Sequence, residues 1–159
     1  MGFALSDMQL TSESFEQGGR IPSRHTGEGV DVSPQLSWIN APEGARSFAI
    51  VCHDPDAPLV SSGGTYGYVH WVLYNLPSDT STLTEGAKGF TEGNNDFGHT
   101  RYGGPMPPNG HGTHQYYFWV FALDEDLKLE PGLSLWELLQ RIEPNLIGMN
   151  RLVGTYSRN

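Results

Sequence analysis

Three apolar runs of strand length stand out along the chain. Ser47 to His53 is almost continuously apolar and follows the turn-like Pro42-Glu43-Gly44. Tyr68 to Leu76 is rich in aromatic and branched residues and is closed by Pro77. Gln115 to Leu123 (Gln-Tyr-Tyr-Phe-Trp-Val-Phe-Ala-Leu) is apolar on both faces, which predicts a central strand in a sheet covered on both sides. Periodicity changes near Ser134. Ser134 and Glu137 have the spacing of a capping box, and Leu135, Leu138, Leu139 and Ile142 then share one helical face. Pro144 suits the first turn of a second short helix, and Leu152 to Tyr156 a last short strand. The pattern predicts a mainly β fold with a short helical region near the C-terminus. Neither a repeat nor a composition break divides it, so residues 1–159 read as one domain.

Composition sharpens this picture. Hydrophobic residues make up 37% of the chain, enough for a core without disulfides or a structural metal. The 20 glycines and 11 prolines fit strands joined by shaped loops better than a helical bundle. A net charge of −9 argues against nucleic acid as a partner, yet leaves room for one small anion, because local donors outweigh net charge inside a pocket. Cys52 is the only cysteine and lies in an apolar run, where it reads as a small buried hydrophobe rather than a reactive thiol. Met1 to Leu10 has no basic segment before an apolar stretch, and no run approaches membrane-spanning length. The cytoplasm is the expected compartment.

Candidate chemistry gathers at strand ends. Alternation places His70 on one face with Tyr68, Val72 and Tyr74, and His114 with Tyr116 and Phe118. If those strands share a sheet, two imidazoles and a phenol converge, and Asp54 at the end of the first strand can join them. Such a set suits a small oxyanion. Histidine N–H and tyrosine O–H groups donate, while the aspartate fixes a histidine tautomer and leaves the other nitrogen to point at the ligand. Gly110 and Gly112 would let the backbone approach and offer its own N–H groups. The plainer readings are hydrogen-bonded core histidines, an Asp54–Asp56 turn, and an aromatic stripe (Tyr116, Tyr117, Phe118, Trp119, Phe121) that serves as core. A zinc site from Asp54, His70, His111 and His114 lacks a rigid ligand platform, and no Gly-x-Ser-x-Gly elbow or Gly-Lys-Ser/Thr phosphate loop is present. The residues by themselves mark a candidate pocket, with no metal and no cofactor expected.

Asp54-Pro55-Asp56-Ala57-Pro58 resembles the first signature of the phosphatidylethanolamine-binding protein family. Gly104-Pro105-Met106-Pro107-Pro108-Asn109-Gly110, running to His114-Gln115-Tyr116, resembles the second. Ile21-Pro22, Ser33 to Trp38, Asn94 to Gly98 and Gly154-Thr155-Tyr156 extend the likeness over almost the whole chain and towards the bacterial and archaeal Raf-kinase-inhibitor-like branch. The resemblance implies an antiparallel β-sandwich with Greek-key-type sheets, a C-terminal helical segment, and a pocket for phosphate, acetate or a phospholipid head group. By position it implies Asp54, His70, His114 and Tyr116 as pocket residues and Pro107 and Pro108 as one wall. It also implies a cis peptide bond at Pro55 or Pro58. Inhibition of a partner kinase or protease is the alternative function, and homodimerisation goes with the branch. Gln115 stands where the family commonly has arginine. As a neighbour of His114 on a strand it is expected to face away from the pocket.

Overall fold

The computed structural model describes residues 2–57 and 66–158. Eight strands and one α-helix follow in chain order: β1 (Gln9–Thr11), β2 (Leu36–Ile39), β3 (Ser47–Asp54), β4 (Tyr68–Pro77), β5 (Thr82–Leu83), β6 (Thr91–Glu92), β7 (His114–Leu123), α1 (Leu135–Ile142) and β8 (Leu146–Tyr156). They form two antiparallel sheets, β1-β2-β5 and β6-β4-β3-β7-β8. The small sheet covers one face of the large one. Met8, Leu10, Leu36 and Trp38 meet Phe48, Ile50, Cys52, Trp71 and Phe118 in the sandwich core. The other face of the large sheet packs Ala49, Val51, Val72, Tyr74 and Phe121 against Leu135, Leu138 and Ile142 of α1. β3 is apolar from Phe48 to Cys52 because both of its faces are covered there.

β3 is the middle strand, not β7. β7 lies between β3 and β8, and Tyr117 and Trp119 on its outer face are only half-buried. β8 begins six residues before the expected Leu152 and pairs along the whole of β7. Asn150 and Arg151 interrupt its apolar run and hide this from a hydrophobicity pattern. The Asn150 amide is satisfied by the Ser6 and Met8 carbonyls of the N-terminal segment, so a polar residue sits in the strand at little cost. Pro144 lies in the first turn of a second short helix, as expected, and that helix is a single 3-10 turn, Glu143–Asn145.

The capping box forms as expected. Ser134 Oγ accepts from the Glu137 N–H at 3.1 Å, and Glu137 Oε1 accepts from the Ser134 N–H at 3.0 Å. With Leu135, Leu138 and Ile142 buried beneath it, α1 holds its place by packing, and the cap contributes a modest share. Ser134→Ala is expected to cost about 1 kcal/mol in urea denaturation with the fold retained.

One irregularity in the large sheet bears on function. Cys52 pairs with Trp71 and His53 with Val69, so His70 is an extra residue bulged out of the β3–β4 ladder. The bulge breaks strict alternation. Tyr68 stays beside His70, but Val72 and Tyr74 lie in the helix-side core, away from it. The expected single face of Tyr68, His70, Val72 and Tyr74 is thereby corrected. No cis peptide bond occurs among the described residues, which corrects the expectation at Pro55; Pro58 lies outside them. Asp54 is the last residue of β3, extended as a residue before proline prefers, and its Oδ1 accepts the Asp56 N–H at 2.8 Å. That turn closes over a trans bond.

Candidate functional site

At one end of the large sheet, a cavity of about 470 Å³ is lined by Asp54, Ala57, Tyr68, His70, Phe97, Met106, Pro107, Pro108, His111, His114 and Tyr116. All six residues singled out by position (Asp54, His70, Pro107, Pro108, His114 and Tyr116) therefore meet at one place. Four of them come from three adjacent long strands. Asp54 ends β3, His114 and Tyr116 open the neighbouring β7, and the bulge on β4 turns His70 inward beside them.

The floor of the cavity is a chain of hydrogen bonds. His114 Nδ1 donates to Asp54 Oδ2 at 2.7 Å, both side chains being almost fully buried. Asp54 Oδ1 is already occupied by the Asp56 N–H, so the carboxylate serves the turn and the histidine together. Asp56 Oδ2 in turn accepts the Gln115 N–H at 2.7 Å, tying the loop after β3 to the start of β7. The Gln115 side chain is exposed and outside the cavity lining, and the Tyr117 hydroxyl donates to it.

His114 Nε2, expected to point at a ligand, lies 2.9 Å from Nδ1 of His111. One proton is shared between the two rings. When both are neutral, His114 spends its N–H on Asp54, so the bridging proton belongs to His111 and the outer nitrogen of His111 is bare. One additional proton makes that outer nitrogen an N–H donor. His111 is thus a lining residue that sequence reasoning set aside, since a loop residue carries no periodicity. Its position three residues before His114 was the available signal.

His70 is held by a different partner. Its Nδ1 lies 2.7 Å from the Gly103 carbonyl oxygen, which can only accept, so the proton is on Nδ1. Burial is the main cause that lowers its pKa from 6.5 to about 4, against the raising effects of this hydrogen bond and of the Asp54 charge. The ring is therefore neutral near pH 7, with Nε2 a bare acceptor, and the expected histidine donor at this position is corrected. Tyr68, Phe97 and Tyr116 surround it with ring-centroid distances of 5.2, 5.4 and 5.2 Å. Tyr116 is buried, its hydroxyl makes no hydrogen bond among the described residues, and burial together with the nearby Asp54 charge pushes its pKa up. It stays a phenol, able to donate into the cavity.

Two loops close the walls. Asn95 is buried and clamps its own loop, donating to the Arg101 carbonyl at 2.7 Å and accepting from the Phe97 and His99 N–H groups. This places Phe97 edge-on to Tyr68. This clamp is the physical content of the Asn94 to Gly98 motif. Opposite lie Met106, Pro107 and Pro108. The Arg158 guanidinium donates to the Pro107 carbonyl at 3.2 Å, and the Arg158 carbonyl accepts the Gly110 N–H at 3.0 Å. Gly110 is therefore not free to bind a ligand through its N–H, contrary to expectation. Its φ of 76° is the left-handed turn for which glycine is suited. Among the described residues, no group of three or more His, Cys, Asp or Glu side chains is arranged to hold a metal ion.

Comparison with known proteins gives one consistent result. The phosphatidylethanolamine-binding protein family profile matches residues 11–157. The UPF0098 protein of Aquifex aeolicus is 41% identical, covering 96% of this chain and 90% of its own length. The UPF0098 protein YbhB of Escherichia coli is 39% identical over 80% of this chain and 85% of its own. Among solved structures, the phosphatidylethanolamine-binding protein homolog CT736 of Chlamydia trachomatis is similar at a TM-score of 0.86 with 38% identity, covering 96% of this chain and 98% of that one. Escherichia coli YBCL is similar at a TM-score of 0.87 with 31% identity, covering 97% of this chain and 100% of that one.

Proposed function

Because this chain belongs to the phosphatidylethanolamine-binding protein family, we propose that its cavity binds a small oxyanion, a phosphate, a carboxylate or a phospholipid head group, and releases it unchanged. The observation that carries this reading is the convergence of unspent polar groups in one cavity. The Tyr116 hydroxyl and the outer nitrogen of the His111–His114 pair have no partner among the described residues, whereas both Asp54 oxygens are turned inward to protein donors. A carboxylate occupied in this way supports the histidines instead of repelling the ligand at close range. The lining includes no serine, cysteine or lysine among the described residues, which favours binding over covalent turnover. Cys52 is fully buried in the sandwich core, and burial raises its thiol pKa well above the ordinary value, so it supplies no nucleophile.

The same reading takes residues 1–159 as one domain acting in the cytoplasm. No helix among the described residues is long and apolar enough to cross a membrane. The test is an inorganic phosphate titration followed by amide NMR, on wild type and on His114→Ala. Saturable shifts around Asp54, His70 and His114 are expected. The variant should bind about 1.5–3 kcal/mol more weakly, the worth of a charge-assisted hydrogen bond together with the loss of the pair that orients His111. If millimolar phosphate moves no resonance, the cavity reading fails. A protein partner such as a kinase or protease, or a second copy of the chain, then becomes the function to seek.

A further inference from the structure

The donor and acceptor pattern of the cavity goes further than its preference for oxyanions, and the following rests on the reading that an oxyanion binds there. We infer that the cavity selects a phosphate that carries its own O–H, a phosphate monoester or inorganic phosphate, over a phosphodiester of the same charge, and that His70 is the residue that makes the distinction.

His70 Nδ1–H is committed to the Gly103 carbonyl at 2.7 Å, and the tautomer cannot invert without setting a nitrogen lone pair against that oxygen. The anchor is firm, because Gly103 also donates its N–H to the His70 carbonyl at 3.1 Å. Nε2 makes no hydrogen bond among the described residues and is not one of the sealed, unpartnered atoms of the core, so it opens on the cavity. A ligand seated against Tyr116 and the His111–His114 pair, when that pair carries its one additional proton, accepts from those groups and meets a lone pair at His70. A bare phosphoryl oxygen placed there leaves two acceptors facing each other in a site of low dielectric. A P–O–H group donates and satisfies both.

Protonating His70 would be the other way to satisfy a bare oxygen. The ring is 3% exposed among Tyr68, Phe97 and Tyr116, and burial opposes the charge. The ionisable groups whose charges act on it are Asp54 and His53, and their effects oppose each other. The proton must then come with the ligand. A monoester retains one below its second ionisation near pH 6, whereas a diester, including a phospholipid head group, has none to give at its phosphate.

Ethyl phosphate and dimethyl phosphate test this directly, being isomers that are both mainly monoanions at about pH 5.5. Dissociation constants from NMR titration of wild type are expected to favour ethyl phosphate by about tenfold or more. His70→Phe removes the acceptor and retains an aromatic ring, so its ratio should collapse to within about threefold through weaker ethyl phosphate binding. Equal affinities of wild type for the two isomers, or tighter dimethyl phosphate binding, would overturn the role of His70 and leave the anion pocket standing. Failure of both isomers and of inorganic phosphate to bind would overturn the pocket and this inference together.

Discussion

Replacing Asp54 with alanine is expected to lower the free energy of unfolding by about 3 kcal/mol in urea denaturation at neutral pH. The carboxylate is buried and accepts two hydrogen bonds, from His114 Nδ1 at 2.7 Å and from the Asp56 N–H at 2.8 Å. Bonds to an ionised acceptor are each worth roughly 1.5–3 kcal/mol, and relief of the desolvation cost of the carboxylate offsets part of that sum. Much of the remaining loss comes from the donors left without a partner. The double variant Asp54→Ala/His114→Leu should therefore lose clearly less than the sum of the two single variants, because it no longer strands the imidazole N–H. Strict additivity would mean that the two side chains are solvated and independent. The same substitution should weaken phosphate binding, since without Asp54 nothing fixes the His114 proton on Nδ1 and the bridge to His111 loses its direction.

How much of this was legible in the sequence varies with the physics of each element. β3 and β4 could be read because they are long and covered on both faces, so burial writes a nearly continuous apolar run, and β7 because aromatic residues occupy even its half-buried outer face. The cap and face of α1 were equally plain. The small sheet could not be read: β1, β2 and β5 are two to four residues long, too short for any period to show. β8 was read short because Asn150 and Arg151 interrupt its apolar run, and the Asn150 amide is satisfied by the N-terminal segment, a contact more than 140 residues away in sequence. At the site, the proximity of Asp54, His70, His114 and Tyr116 was accessible from strand ends and motif order. The orientation of His70 was not, because alternation holds only without a bulge. The pairing of His111 with His114 was signalled only by their three-residue separation, and its geometry depends on how a glycine-flanked loop folds back. Asp54 resolves an alternative that the residues left open: it makes the local turn and supports the histidine at once.

Lowering the pH from 6.5 to about 4 is expected to remove about 3 kcal/mol of stability through His70 alone. In the unfolded chain this imidazole takes a proton near pH 6.5, whereas in the fold burial holds it neutral down to about pH 4. Between those values the unfolded state binds more protons than the folded one, so stability rises with pH across the window. The contribution is complete above 6.5 and is lost as the pH falls to about 4. The cause is the closed setting, with Tyr68, Phe97 and Tyr116 around the ring and the single Gly103 carbonyl insufficient to support a charge. Urea denaturation of wild type and His70→Phe at several pH values separates this group from the carboxylates that also titrate there. The difference between their stability curves should slope upward with pH over the window and flatten above it. Parallel curves would mean that His70 charges freely in the fold, and an imidazole able to do that could also donate to a bare oxyanion.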